Sequence, residues 1–160
     1  MKLGTLLLVG AMLALSACST PYGKMGLMGG VEAMPVSNDT VRISAVGNGY
    51  TSQGQIQDFV LLKAAETAIA RGQTSFTLLG GQDTSSQSYG QTPGTLRMNN
   101  FGGTTFATYN PGFTYNVIKP GQDVLVRVWS PAPGEQLPPN TFNAQEIYTN
   151  ISPRVQRTKS

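Results

Sequence analysis

At 160 residues the chain has room for one domain with one modest core. Charged residues make up 12% of it, and of the 11 basic residues Arg154, Arg157 and Lys159 lie at the very end, so the near-neutral body lacks the basic stripe that a nucleic-acid partner requires. There is no histidine, which excludes His-based triads and His zinc sites, and one cysteine cannot form an intramolecular disulfide.

Met1-Lys2 gives a positive start, and Leu3 to Leu15 is dominated by Leu, Val, Ala and Met. The run is shorter than the ~20 apolar residues that a spanning helix needs. It has the form of the apolar region of a secretory signal. Leu15-Ser16-Ala17-Cys18 follows and resembles the bacterial lipobox. Leu15 fills the hydrophobic position, Ser16 and Ala17 are small enough for a signal peptidase to admit the backbone, and the Cys18 thiol would take a diacylglyceryl thioether. The alternatives are an ordinary signal peptide with an incidental cysteine, or a buried apolar helix. On the lipobox reading, residues 1–17 are removed and Cys18 becomes an acylated N-terminus. Two or more palmitate-like chains, at about 0.8 kcal/mol per buried methylene, then hold the protein on membrane lipid essentially permanently. Ser19 rather than aspartate after the cysteine points, by resemblance to enterobacterial sorting, to the outer membrane facing the periplasm.

Residues 19–39 mix six Gly and Pro with scattered Met and Val and keep no period. A flexible tether is expected there. The apolar character of Met25, Leu27, Met28, Val31 and Met34 keeps a strand or pad on the domain as the alternative.

The folded part is expected over 40–153. Val41, Ile43 and Ala45 alternate with polar neighbours as a half-buried strand does, up to Gly47-Asn48-Gly49. Ser52 and Gln55 have capping-box spacing, opening a helix with Leu61, Leu62, Ala65, Ala68 and Ile69 as its buried stripe, Phe59 and Val60 widening that face, and Gly72 as its stop. A strand over 75–79 follows closely, which predicts a right-handed crossover with parallel pairing. Residues 82–100 are polar and predict a long loop. Segments 104–109, 113–118 and 123–129 alternate, and Lys119-Pro120-Gly121-Gln122 suits a type II turn joining the last two as a hairpin. Four prolines between 131 and 139 bar further regular strand, Asn143 caps a short helix ended by Pro153, and residues 154–160 read as a loose basic tail. The expected fold is α+β: a two-layer sandwich with one long and one short helix on a mixed sheet of four or five strands.

No catalytic constellation, cofactor site or metal site emerges. Glu66 is an acid inside the main helix and the natural candidate for a general acid or base, and Lys63 three residues earlier offers it a solvated ion pair. Asp39 and Asp123 flank strands and suit turns. The serines of 82–88 have no base to activate them. Gly47-Asn48-Gly49 lacks the rest of a phosphate loop. Tyr89, Phe101, Phe106, Tyr109, Phe113 and Tyr115, spaced by Asn and Gly, suit either alternate-face packing or contact with a glycan or protein.

Gly47-Asn48 with Thr51, then Leu62-Lys63-Ala64-Ala65-Glu66 and Gly72 with Phe76, resembles the signature of a family of small alphaproteobacterial envelope lipoproteins, which pairs a GN-x-x-T turn with an R-A-A-E helix. Lys63 stands where that family has arginine, and residues 82–100 have no counterpart in it. The resemblance implies architecture and an envelope address, and no activity. The expectation is a non-enzymatic envelope structural or assembly lipoprotein bound to membrane lipid through Cys18. The alternative is a glycan- or protein-binding module using segment 89–115.

Overall fold

A computed structural model describes residues 19–101, 104–112 and 114–157. The signal region and Leu15, Ser16, Ala17 and Cys18 lie outside the described residues. In chain order the elements are β1 (Gly30–Pro35), β2 (Thr40–Val46), α1 (Gln53–Ala70), β3 (Ser75–Asp83), β4 (Ser86–Gln91), β5 (Thr95–Phe101), β6 (Thr104–Asn110), β7 (Thr114–Lys119), β8 (Gly121–Trp129), β9 (Thr141–Asn143) and α2 (Ala144–Ile151), closed by a 3-10 turn at Ser152–Arg154. Among the described residues two compact units form, one from residues 19–86 with 119–157 and one from Gln87–Ile118.

The larger unit is the expected α+β sandwich. Its five strands run in the order β1-β2-β8-β3-β9. Each ladder is antiparallel. Alternation sends Val41, Ile43 and Ala45 of β2 and Val124, Val126 and Val128 of β8 to one face, where they meet Ile56, Phe59, Val60, Leu62, Ala64, Ala65 and Ala68 of α1. Each fully buried Val, Ile, Leu or Phe contributes about 1.5–3 kcal/mol, so this interface supplies most of the driving force. Ala64, Ala65 and Ala68 are fully buried, and their small side chains permit close packing of the helix on the sheet. Phe59 and Val60 widen the stripe as expected, Ile56 extends it toward the helix N-terminus, and Ile69 is exposed. Ser52 and Gln55 do form the capping box. At the other end Gly72 adopts φ 71°. Its N–H donates to Ile69 O at 2.9 Å and the Gln73 N–H to Ala68 O at 2.9 Å, the Schellman arrangement. Asn143 caps α2 by accepting from Glu146 N at 3.0 Å.

Several local expectations give way. Residues 19–39 are no tether: β1 forms the sheet edge on β2, and Thr20, Tyr22 and Val31 are buried. The strand-or-pad alternative holds because that segment supplies apolar cover that α1 leaves open. β2 and β3 run in the same direction but do not pair, since β8 is inserted between them and is antiparallel to both. The hairpin around Pro120 is absent: β8 joins the core sheet while β7 pairs with β4 in a separate two-stranded sheet. Pro120 has no N–H for a ladder, and its carbonyl accepts instead from Gly47 N at 2.8 Å. The polar stretch 82–100 is strand rather than loop, carrying the end of β3, β4 and most of β5. Finally, the segment through Arg157 is docked, as described below.

In the smaller unit β5 and β6 form an antiparallel ladder in which Leu96 faces Tyr109 and Met98 faces Ala107. Leu96, Met98 and Tyr109 therefore share one face, and all three are exposed.

Candidate functional site: a latch behind the proposed anchor

Thr20 is the second residue after Cys18 and is 2% exposed. Its N–H donates to Thr51 Oγ1 at 3.0 Å. Its hydroxyl donates to Met28 O at 2.7 Å and accepts from Asn48 N at 2.9 Å. Thr51 Oγ1 lies 2.9 Å from Thr20 Oγ1 and 3.0 Å from Asn48 Oδ1, and its single proton serves one or the other. Asn48 Oδ1 also accepts from Tyr50 N at 3.0 Å, an Asx turn that shapes the loop. Gly47 is required sterically, because a Cβ there would stand 2.6 Å from Thr51 Cβ. The Gly47-Asn48-x-x-Thr51 pattern thus builds a polar socket whose occupant is Thr20.

A second fastening lies along α1. Tyr22 OH donates to Glu66 Oε2 at 2.6 Å, and Arg157 donates to Glu66 Oε1 at 2.8 Å. The Arg157 guanidinium also sits 5.1 Å from the centre of the Tyr22 ring, and that ring meets Phe59 edge-on at 5.4 Å. Tyr22 N donates to Gln156 O at 2.6 Å, a bridge that draws the two ends of the described chain together. Burial, then the hydrogen bond to Glu66, pushes the Tyr22 phenol well above its ordinary range, so it stays a neutral donor. Glu66 raises the affinity of the Arg157 guanidinium for its proton.

The ion pair expected between Glu66 and Lys63 is therefore replaced by Tyr22 and Arg157, and the basic tail is held as far as residue 157. Arg154 contributes by pairing with Asp58 at 3.1 Å. A groove of about 610 Å³ runs beside the clasp, lined by Lys24, Val31, Glu32, Lys63, Glu66 and Arg71. It brings a second acid, exposed Glu32, to the same groove as Glu66, whose two oxygens are already engaged.

The other candidates occupy structural posts. Asp39 accepts from the Ser37 and Thr40 hydroxyls and from Arg127 Nε at 3.0 Å, which together hold its carboxyl below the usual carboxylate range. Asp123 accepts from the Ser44 hydroxyl across the sheet. Ser85 bonds the Asp83 carboxylate and Gly121 N, fixing the strand junction. Tyr89 and Tyr109 are exposed, and the side chains of Phe101, Phe106, Phe113 and Tyr115 lie outside the description. Among the described residues no three of Cys, Asp and Glu gather as metal ligands would, and no helix is long and apolar enough to cross a membrane.

Thr20, Tyr22 and Arg157 escape sequence reading because nothing local marks them. Thr51 was visible in the GN-x-x-T pattern, but its partner lies 31 positions away. No family model, curated protein or solved structure matches the chain.

Proposed function

We propose that this chain is a periplasm-facing lipoprotein, anchored through acylated Cys18 and most simply placed at the outer membrane, that acts as a non-enzymatic structural or assembly component of the cell envelope. The observation that carries the reading is the tetrad Leu15-Ser16-Ala17-Cys18 behind an apolar run with a positive start. The latch adds support, since a domain that must be held by its N-terminus gains from fastening the residues next to the attachment point. The resemblance of Gly47-Asn48-x-x-Thr51 and Lys63-Ala64-Ala65-Glu66 to small alphaproteobacterial envelope lipoproteins points the same way. The test is Cys18→Ser in the native host, with the N-terminal peptide of the parent weighed by mass spectrometry. The parent peptide should begin at residue 18 and carry acyl mass, and the variant should be released or stall as precursor. Steady turnover of an envelope glycan, lipid or peptide by the purified protein would remove the non-enzymatic part.

A second reading, a glycan- or protein-binding module, is favoured by the exposed face of Leu96, Met98 and Tyr109 on the β5–β6 ladder. Crosslinking in intact cells tests it: replacing these three by serine should abolish a crosslinked partner that depends on segment 89–115.

A further inference from the structure

The turn that leads into β1 carries apolar side chains where polar ones are the rule. Gly26 and Gly29 exchange both backbone hydrogen bonds, at 3.0 and 3.1 Å, and Leu27-Met28 forms the two-residue tip. Such tips ordinarily take Asn, Asp or Gly. Here Leu27 is 107% exposed and Met28 61%. Exposed Lys24 and Met25 precede them.

The position of this tip is fixed by the latch. Thr20 holds Met28 through its carbonyl and Asn48 through its N–H. Tyr50, two residues on from Asn48, is 77% exposed and lines one cavity with Ser19 and Thr20. The chain's exit toward Cys18, the Leu27-Met28 tip and Tyr50 therefore occupy one end of the larger unit. Two residues of chain reach at most about 7 Å, so a lipid attached at Cys18 brings its bilayer against that end. Apolar tips, an amphipathic tyrosine and a flanking lysine are the side chains a bilayer surface accepts, with the acyl region, the interface and anionic headgroups in that order.

We propose that Leu27 and Met28, flanked by Tyr50, insert into the lipid surface that holds acylated Cys18, seating the domain on the membrane in one orientation. The inference rests on the anchoring reading above and adds to it a second, non-covalent contact.

The test uses the full chain, processed in its host and reconstituted into phosphatidylethanolamine–phosphatidylglycerol vesicles, with Leu27→Cys labelled by an environment-sensitive fluorophore. Acylation consumes Cys18, so the introduced thiol is the sole reactive one. Val36→Cys is the control, because Val36 is exposed and lies past the opposite end of β1, roughly 20 Å from Gly30 at 3.3 Å per residue. The expected result is blue-shifted emission at position 27, quenched by spin-labelled lipid several-fold more than emission at position 36. Equal, water-like emission at both positions on an acylated chain overturns insertion and leaves the anchor standing. A blue shift at 27 that spin-labelled lipid does not quench also overturns it, in favour of a protein partner or a second copy. A parent whose Cys18 labels readily overturns the anchor, and the insertion with it.

Discussion

Removing the Thr51 hydroxyl without changing the shape of the side chain isolates the latch. Thr51→Val keeps the branched volume, so no cavity forms, and Thr51 is only 7% exposed, so water cannot replace the lost group. Thr20 N–H then loses its acceptor at 3.0 Å. Thr20 Oγ1 keeps Asn48 N and Met28 O, so the damage is confined to one buried donor and one hydroxyl contact. Leaving a buried donor unsatisfied costs about 1–3 kcal/mol, and ~2 kcal/mol is the central expectation. For a chain of this size that corresponds to a fall in Tm of about 4–8 °C. Thr51→Ser restores the hydroxyl and should recover most of the loss, giving up only about 0.8 kcal/mol for one methyl group. Thermal denaturation followed by circular dichroism measures the global effect. Hydrogen exchange at the Thr20 amide measures the local one, which should accelerate in the valine variant alone. A valine variant that melts within about 1 °C of the parent, with Thr20 exchange unchanged, refutes the latch as a stabilising contact.

Four further outcomes follow from the clasp, the turn and the sheet. Glu66→Ala removes the carboxylate that accepts from the buried Tyr22 hydroxyl and should cost about 1–3 kcal/mol in urea denaturation, whereas Arg157→Ala breaks a pair 44% and 24% exposed and should cost no more than ~1 kcal/mol; the reverse order would contradict the arrangement. Because the Tyr22 phenol is raised in the folded state, the unfolded chain loses that proton first as pH climbs. Its contribution is therefore complete at neutral pH, and stability should fall above about pH 10 with a slope that Tyr22→Phe removes. Asp39, whose carboxyl is lowered, has the opposite sign: its contribution is present at neutral pH and fades as acid protonates it, so Asp39→Asn should flatten the acid limb of the stability curve. Gly47→Ala drives a methyl to within 2.6 Å of Thr51 Cβ and should destabilise by about 1–3 kcal/mol, readable as a lower urea midpoint.

What could be read from sequence was whatever depends on near neighbours. The capping box at Ser52, the left-handed stop at Gly72, the alternation of Val41, Ile43 and Ala45 and the Asn143 cap are each decided within about four residues, and each is in place. Pairing is a different matter. The turn chemistry of Lys119-Pro120-Gly121-Gln122 suited a hairpin, yet the alternating β8 segment has apolar partners on both sides in β2 and β3, and burying it between them outweighs a local turn preference. Polarity misled at 82–100 because strand ladders satisfy the backbone even where side chains stay in water, as at Leu96 and Met98 on β5. For the site, Gly47, Asn48 and Thr51 stood out as a pattern, while Thr20 and Arg157, which give the pattern and Glu66 their partners, carry no local signal at all.

The docked N-terminal segment changes what an anchor at Cys18 could do. If residues 19–39 were a random coil of that length, the domain would wander about 25 Å from its attachment point, by the ~5–6 Å × √n rule for flexible chains. With Thr20 fixed in its socket, the reach from Cys18 to the folded body falls to about 7 Å. Orientation becomes limited as well as distance, because Thr20 is bonded at once to the β1 turn through Met28, to the loop before α1 through Asn48, and to Thr51. The clasp reinforces this by tying Tyr22 to α1 at Glu66 and to the end of the described chain at Gln156 and Arg157. A load applied at Cys18 would therefore pass into the sheet edge, the long helix and the C-terminal segment together. That is the mechanical requirement for a component that works by holding a surface at a set height and angle above a membrane, and a long leash would not meet it.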